Sequence, residues 1–225
     1  MIKAGKTLLM CVLMCVLLFA LASCSTTSKL KKAEITAKNA YEAGNYDAAL
    51  QAYESVIAEY ENEDRSKECA VYTQAGISAL KTGNTDKAID YLEKAVYTPF
   101  KNPDTYYYLA EAYRKIDNLS KELLTLEAFL ENYAVSEKAG SVKQRLFNVY
   151  MESENWDKAG KMWSQLEDSF KSQPENFEKW FRLNCVIGDA DNCSSLAGDL
   201  LRMDPDNVTA LEWKAEKYFW KAEDT

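Results

Sequence analysis

"GNTDKAIDYL", residues Gly83 to Leu92, is the segment on which the reading of the fold turns. Four other segments align with it without gaps: "GNYDAALQAY" (Gly44–Tyr53), "DNLSKELLTL" (Asp117–Leu126), "ENWDKAGKMW" (Glu154–Trp163) and "GDADNCSSLA" (Gly188–Ala197). With the sixth residue of each as anchor, Ala49, Ala88, Glu122, Ala159 and Cys193 fall 39, 34, 37 and 34 residues apart. A near-constant period of this size marks a chain built from stacked copies of one small unit.

From Lys29 onward apolar residues recur at three- and four-residue spacing, and no alternating run of β-branched residues competes. Pro99, Pro103, Pro174 and Pro205 all lie in polar breaks between such runs, where helices end or restart. The fold class is therefore all-α. Gly44, Gly83 and Gly188 stand where a left-handed residue would end the first helix of a unit.

These segments resemble the tetratricopeptide repeat, whose period is about 34 residues. The resemblance implies an α-solenoid, a right-handed superhelix of about five helix pairs over residues 29–206, with a capping helix over residues 207–225. One pair cannot bury both its faces, so stacked neighbours complete the core. Each pair meets at a close crossing that wants small residues, here Gly76 with Ala88 and Ala37 with Ala49. Larger residues flank it, as with Tyr106, Leu109, Ala110 and Tyr113 on one helical face. Glu122 breaks the pattern, so the third pair is expected to bend outward or to open at its crossing.

The resemblance also implies a concave groove in which a protein or peptide partner lies along the first helices. Mapped unit by unit, its inward positions are Thr73, Ile77 and Lys81; Tyr107, Glu111 and Arg114; Gln144, Asn148 and Met151; and Glu178 and Arg182. This set is mixed in charge and does not match the lysine-and-asparagine clamp with which some members hold a peptide carboxylate. Tyr107 and Arg114 offer stacking and bidentate hydrogen bonding.

The first 23 residues read as a targeting segment. Lys3 and Lys6 precede the apolar run "LLMCVLMCVLLFALA", Leu8 to Ala22. As a helix it would be about 22 Å long, short of the roughly 30 Å hydrocarbon core, as in a secretory signal. Leu21-Ala22-Ser23-Cys24 resembles a bacterial lipobox, which implies that Cys24 is lipidated and becomes the N-terminus of a short tether, residues 24–28. An ordinary cleaved signal and an uncleaved membrane helix are the alternatives. Cleavage removes two basic residues and no acidic one, taking the net charge from −8 to −10. It leaves Cys69, Cys185 and Cys193 in an oxidising compartment. Lys29, Lys31 and Lys32 would then open the first helix close to anionic headgroups. No acidic run follows Cys24, which favours the outer membrane, facing the periplasm.

The same sequence excludes several chemistries. It has no histidine, no glycine-rich phosphate loop, no Gly-x-Ser-x-Gly and no metalloprotease motif, so neither catalysis nor a metal or cofactor is expected. Its acidity argues against nucleic acid. Glu61, Glu63 and Asp64 read as a solvated charge run, and the sequons at Asn118, Asn192 and Asn207 as chance matches in a bacterial protein.

Two features stay open. All five tryptophans, Trp156, Trp163, Trp180, Trp213 and Trp220, lie in the C-terminal third, either filling degenerate repeats or forming an apolar partner site. Tyr218-Phe219-Trp220 spans too much of a helix to face inward entirely, so some aromatic surface should stay exposed. In "CVIGDADNC", Cys185 and Cys193 bracket a repeat turn; a calcium loop would need glycine at Ser194 and glutamate at Leu200. The pair is either a disulfide or two buried thiols. Together these features predict a membrane-anchored, non-catalytic scaffold of the bacterial envelope; the alternative is a ligand- or glycan-binding receptor using the aromatic end.

Overall fold

A computed structural model describes residues 29–188 and 190–223, residue 190 and the last six by backbone alone. The signal segment, Cys24 and its tether lie outside the described residues, as do the side chains of Tyr218, Phe219 and Trp220. The described residues are helical, without strands, and form two compact units that part between Ile116 and Asp117.

The first unit holds α1 (residues 29–42), α2 (Tyr46–Asn62), a 3-10 turn (Ser66–Glu68), α3 (Tyr72–Lys81), α4 (Thr85–Val96) and α5 (Pro103–Lys115). The second holds α6 (Leu119–Tyr133), α7 (Ala139–Glu152), α8 (Trp156–Trp163), the short α9 (Asp168–Lys171), α10 (Pro174–Val186), α11 (Ala190–Met203) and α12 (Val208–Glu223). Pro103 and Pro174 each begin a helix, where the missing N–H costs nothing.

The repeated segments share one turn. Gly44, Gly83 and Gly188 have φ of 74°, 83° and 85°, and Asp117 and Glu154 take the same left-handed conformation at 54° and 56°. The following asparagines, Asn45, Asn84 and Asn118, cap the next helix by accepting from the backbone N–H three residues on, at 3.1–3.2 Å. Asn45 and Asn84 also donate their own N–H to the carbonyls of Ala40 and Ala79, at 2.9 and 2.8 Å, closing the preceding helix.

The crossings are tight. A Cβ placed on Gly76 would come within 2.5 Å of Leu92 Cγ and 3.2 Å of the Ala88 carbonyl oxygen, so only glycine lets α3 approach α4 here. Ala37 and Ala49 are buried together with Tyr53, Ile57, Tyr72 and Ala75. In this cluster burial pushes the Cys69 thiol up to about 11, which leaves it protonated and unreactive. The second unit has its own core, including Phe181, Leu196, Leu200 and Ala210.

Glu122 finds a different solution. It is 2% exposed, and its carboxylate accepts from Arg145 Nη2 at 2.8 Å, so a buried ion pair joins α6 to α7. Cys185 on α10 and Cys193 on α11 are joined as a disulfide with their Cα atoms 5.4 Å apart, within the reach of such a bond.

Candidate functional site

In the second unit, α7, α8, α10 and α12 enclose a cavity of about 420 Å³ lined by Met151, Trp156, Phe181, Arg182, Cys185, Val186, Thr209 and Trp213. Its apolar walls follow from helix ends. Met151 lies in the last turn of α7, Trp156 begins α8, and Cys185 and Val186 end α10. Phe181 belongs to the buried core and meets Trp213 edge-on, ring centres 6.0 Å apart. Trp163 and Trp180 instead stack at 5.1 Å, with Trp163 buried. The tryptophans therefore divide: this pair packs the interior, whereas Trp156 and Trp213 line the cavity.

One polar cluster fixes the cavity edge. Glu178 Oε1 accepts from Arg182 Nε at 2.9 Å, from Arg182 Nη2 at 2.7 Å and from Thr209 Oγ1 at 2.8 Å. Its Oε2 accepts from Asn207 Nδ2 at 3.0 Å. Asn207 in turn caps α12 by accepting from the Ala210 N–H at 3.1 Å. Burial alone would raise the Glu178 pKa, but these donors outweigh it and hold the carboxyl below the usual range. The cluster thus clamps α10 to the start of α12.

Of the predicted groove residues, Met151, Glu178 and Arg182 meet at this cavity or its edge. Asn148 lies one turn before Met151 and accepts from Lys179 Nζ at 2.6 Å; Gln144 is half-buried on the same helix. In the first unit Lys81 is exposed, with its Nζ 5.6 Å from the Tyr108 ring centre. Tyr107 and Glu111 are half-buried and Arg114 is exposed.

Thr73 and Ile77 do not belong to any open groove. They are 4% and 2% exposed, and Thr73 Oγ1 hydrogen-bonds Thr105 Oγ1 at 2.8 Å, joining α3 to α5. Thr73 is turned toward the neighbouring first helix, α5, and Ile77 is buried within the unit. Val71 and Gln74 take the open side instead and help line a second cavity, of about 400 Å³, with Lys31, Ile35, Lys38 and Tyr41 of α1.

Sequence reasoning missed Phe181, Val186, Asn207 and Thr209 as site residues. The polar break "DPDN" before an apolar helix is an N-cap signal, and it would have singled out Asn207 as more than a sequon.

Residues 35–62 match the tetratricopeptide repeat family model. No curated protein matches the chain by sequence. Among solved structures, it is similar to YrrB, described as a TPR protein with an unusual peptide-binding site: 17% identity, TM-score 0.62, covering 81% of this chain and 90% of that one. A MamA protein gives 16% identity and TM-score 0.63, over 83% and 98% of the two chains. A tetratricopeptide repeat protein from Parabacteroides merdae gives 14% identity and TM-score 0.58, over 87% and 74%. At these identities the likeness is one of fold: the described residues have the all-α, helix-pair fold of tetratricopeptide repeat structures.

Proposed function

We propose that the protein is a lipid-anchored scaffold of the bacterial envelope that holds a protein partner against its first helices and performs no catalysis. The cavity between α7, α10 and α12 carries this reading: apolar walls with a pre-set polar edge are what a partner's side chain needs. The sequence Leu21-Ala22-Ser23-Cys24 supports the anchor, and the Cys185–Cys193 disulfide fits an oxidising compartment. The outer membrane, facing the periplasm, is the location we favour.

Two experiments test it. Labelled palmitate should enter the wild-type protein and not Cys24→Ala; equal labelling would refute the anchor. Affinity capture of the lipidated protein from crosslinked envelopes should recover a protein partner, and lipid alone would count against a scaffold.

A second reading gives the same cavity to a small ligand or a glycan. Trp156 and Trp213 beside Arg182 and Thr209 favour it, since aromatic walls with adjacent polar groups suit such ligands. Binding on a glycan array that Trp213→Ala abolishes would establish it.

A further inference from the structure

We propose that the α7–α10–α12 cavity recognises a partner segment that presents a large apolar side chain, aromatic by preference, beside a carboxylate. This rests on the scaffold reading and names the chemistry of its partner.

The walls specify the side chain. Met151, Trp156, Phe181, Val186 and Trp213 leave a space of about 420 Å³, near the low end of ligand pockets, which run from about 300 Å³. That suits one bulky side chain with its flanking backbone. Met151 adapts to the shape of an inserted ring, and its sulfur favours aromatic contact. Val186 is 56% exposed, so the cavity opens to the surface beside it and a partner can enter without unfolding the unit.

The edge specifies the charge. Arg182 is pinned through Nε and Nη2 to Glu178 and through Nη2 to Thr209, yet its side chain stays 56% exposed. Among the described residues none accepts from its Nη1. A guanidinium held this way has already lost most of its rotamer freedom, so a carboxylate can bind it at little further entropic cost. A second cation lies alongside, with Lys217 Nζ 5.0 Å from the Trp213 ring centre. Glu178 offsets the charge of Arg182 and keeps its three internal partners, so Arg182 Nη1 and Lys217 Nζ are the donors left for an incoming acid. Those two donors select a segment that carries a carboxylate. The same lysine covers one face of Trp213, a face a stacked sugar ring would need bare, and this favours a peptide over a glycan.

The test pans a random twelve-residue peptide library, displayed on phage, against the full-length protein with its disulfide intact. The expected consensus places Phe, Trp, Tyr or Leu within two residues of Asp or Glu. A synthetic peptide of that consensus should lose affinity about tenfold or more with Trp213→Ala. It should lose several-fold with Arg182→Ala, an exposed position whose variant is expected to fold. Replacing the peptide's acid by its amide should remove the difference between wild type and Arg182→Ala. Selected peptides without an acid, or whose binding ignores both substitutions, would overturn this inference and leave the scaffold reading standing. No selected peptide, with glycan-array binding that depends on Trp213, would overturn both.

Discussion

At the residue scale, five repeat turns need a left-handed residue, but only three have glycine. Asp117 and Glu154 occupy the same conformation with a side chain, at a cost of about 1 kcal/mol each. Asp117→Gly and Glu154→Gly should therefore each stabilise the protein by about 0.5–1 kcal/mol, whereas Gly83→Ala should destabilise it by at least as much; urea unfolding checks all three. The glycine turns were legible because glycine announces a positive φ. The Asp117 and Glu154 turns were not, since neither residue carries that signal and only alignment on the period marks them. Glu178 offers a pH test. Its folded pKa lies below its unfolded value of about 4.3, so its cluster stabilises above that pH. The contribution is lost as pH falls through the folded value. Glu178→Gln should cost stability at pH 7 and flatten the acid limb between pH 5 and pH 2, a difference that thermal melts across pH will detect.

At the element scale, close crossings and paired charges decide which helices can meet. Gly76→Val would press its Cβ against Leu92 and the Ala88 carbonyl, and should cost about 2–3 kcal/mol in chemical unfolding. The small-residue crossing was readable once the repeat resemblance had placed it. The Glu122–Arg145 pair was not, because its partner lies 23 residues away on the next helix and period says nothing about charge. Glu122→Ala takes the carboxylate away from the half-buried Arg145 and should cost about 3–5 kcal/mol, while Glu122→Met with Arg145→Met should recover most of it. The Cys185–Cys193 bond spans eight residues in sequence, and a loop of that size is worth about 2.5 kcal/mol on chain-entropy grounds. Cys193→Ser should lower stability by about that amount in non-reducing buffer and leave reduced protein nearly unchanged. The groove register failed at Thr73 and Ile77 for a related reason. Mapping unit by unit says nothing about neighbours, and Thr73 is satisfied inside by Thr105 on the next first helix.

At the scale of the whole molecule, the fold was largely legible and the site only partly so. Repeat spacing needs no tertiary detail, and the similarity to solved tetratricopeptide repeat structures over about four-fifths of the chain agrees with it. A cavity is set by where helices end, and helix ends are the least readable feature of a sequence. Met151, Trp156, Cys185 and Val186 line the cavity because α7, α8 and α10 start or stop beside them. Arg182 lay on the predicted groove, but its fixed position depends on Asn207 and Thr209 at the start of the next helix. The proposed site thus lies where two repeats exchange polar contacts beside an unfilled apolar space.

The central claim is that a protein partner is held at this cavity. A photoreactive phenylalanine analogue placed at Val186, on the cavity rim, tests it most directly in living cells; the same group at Val135, fully exposed between α6 and α7, serves as control. The account predicts a discrete protein adduct from position 186, absent from position 135 and lost when Trp213→Ala is added. No adduct from position 186, or the same adducts from both positions, would contradict it.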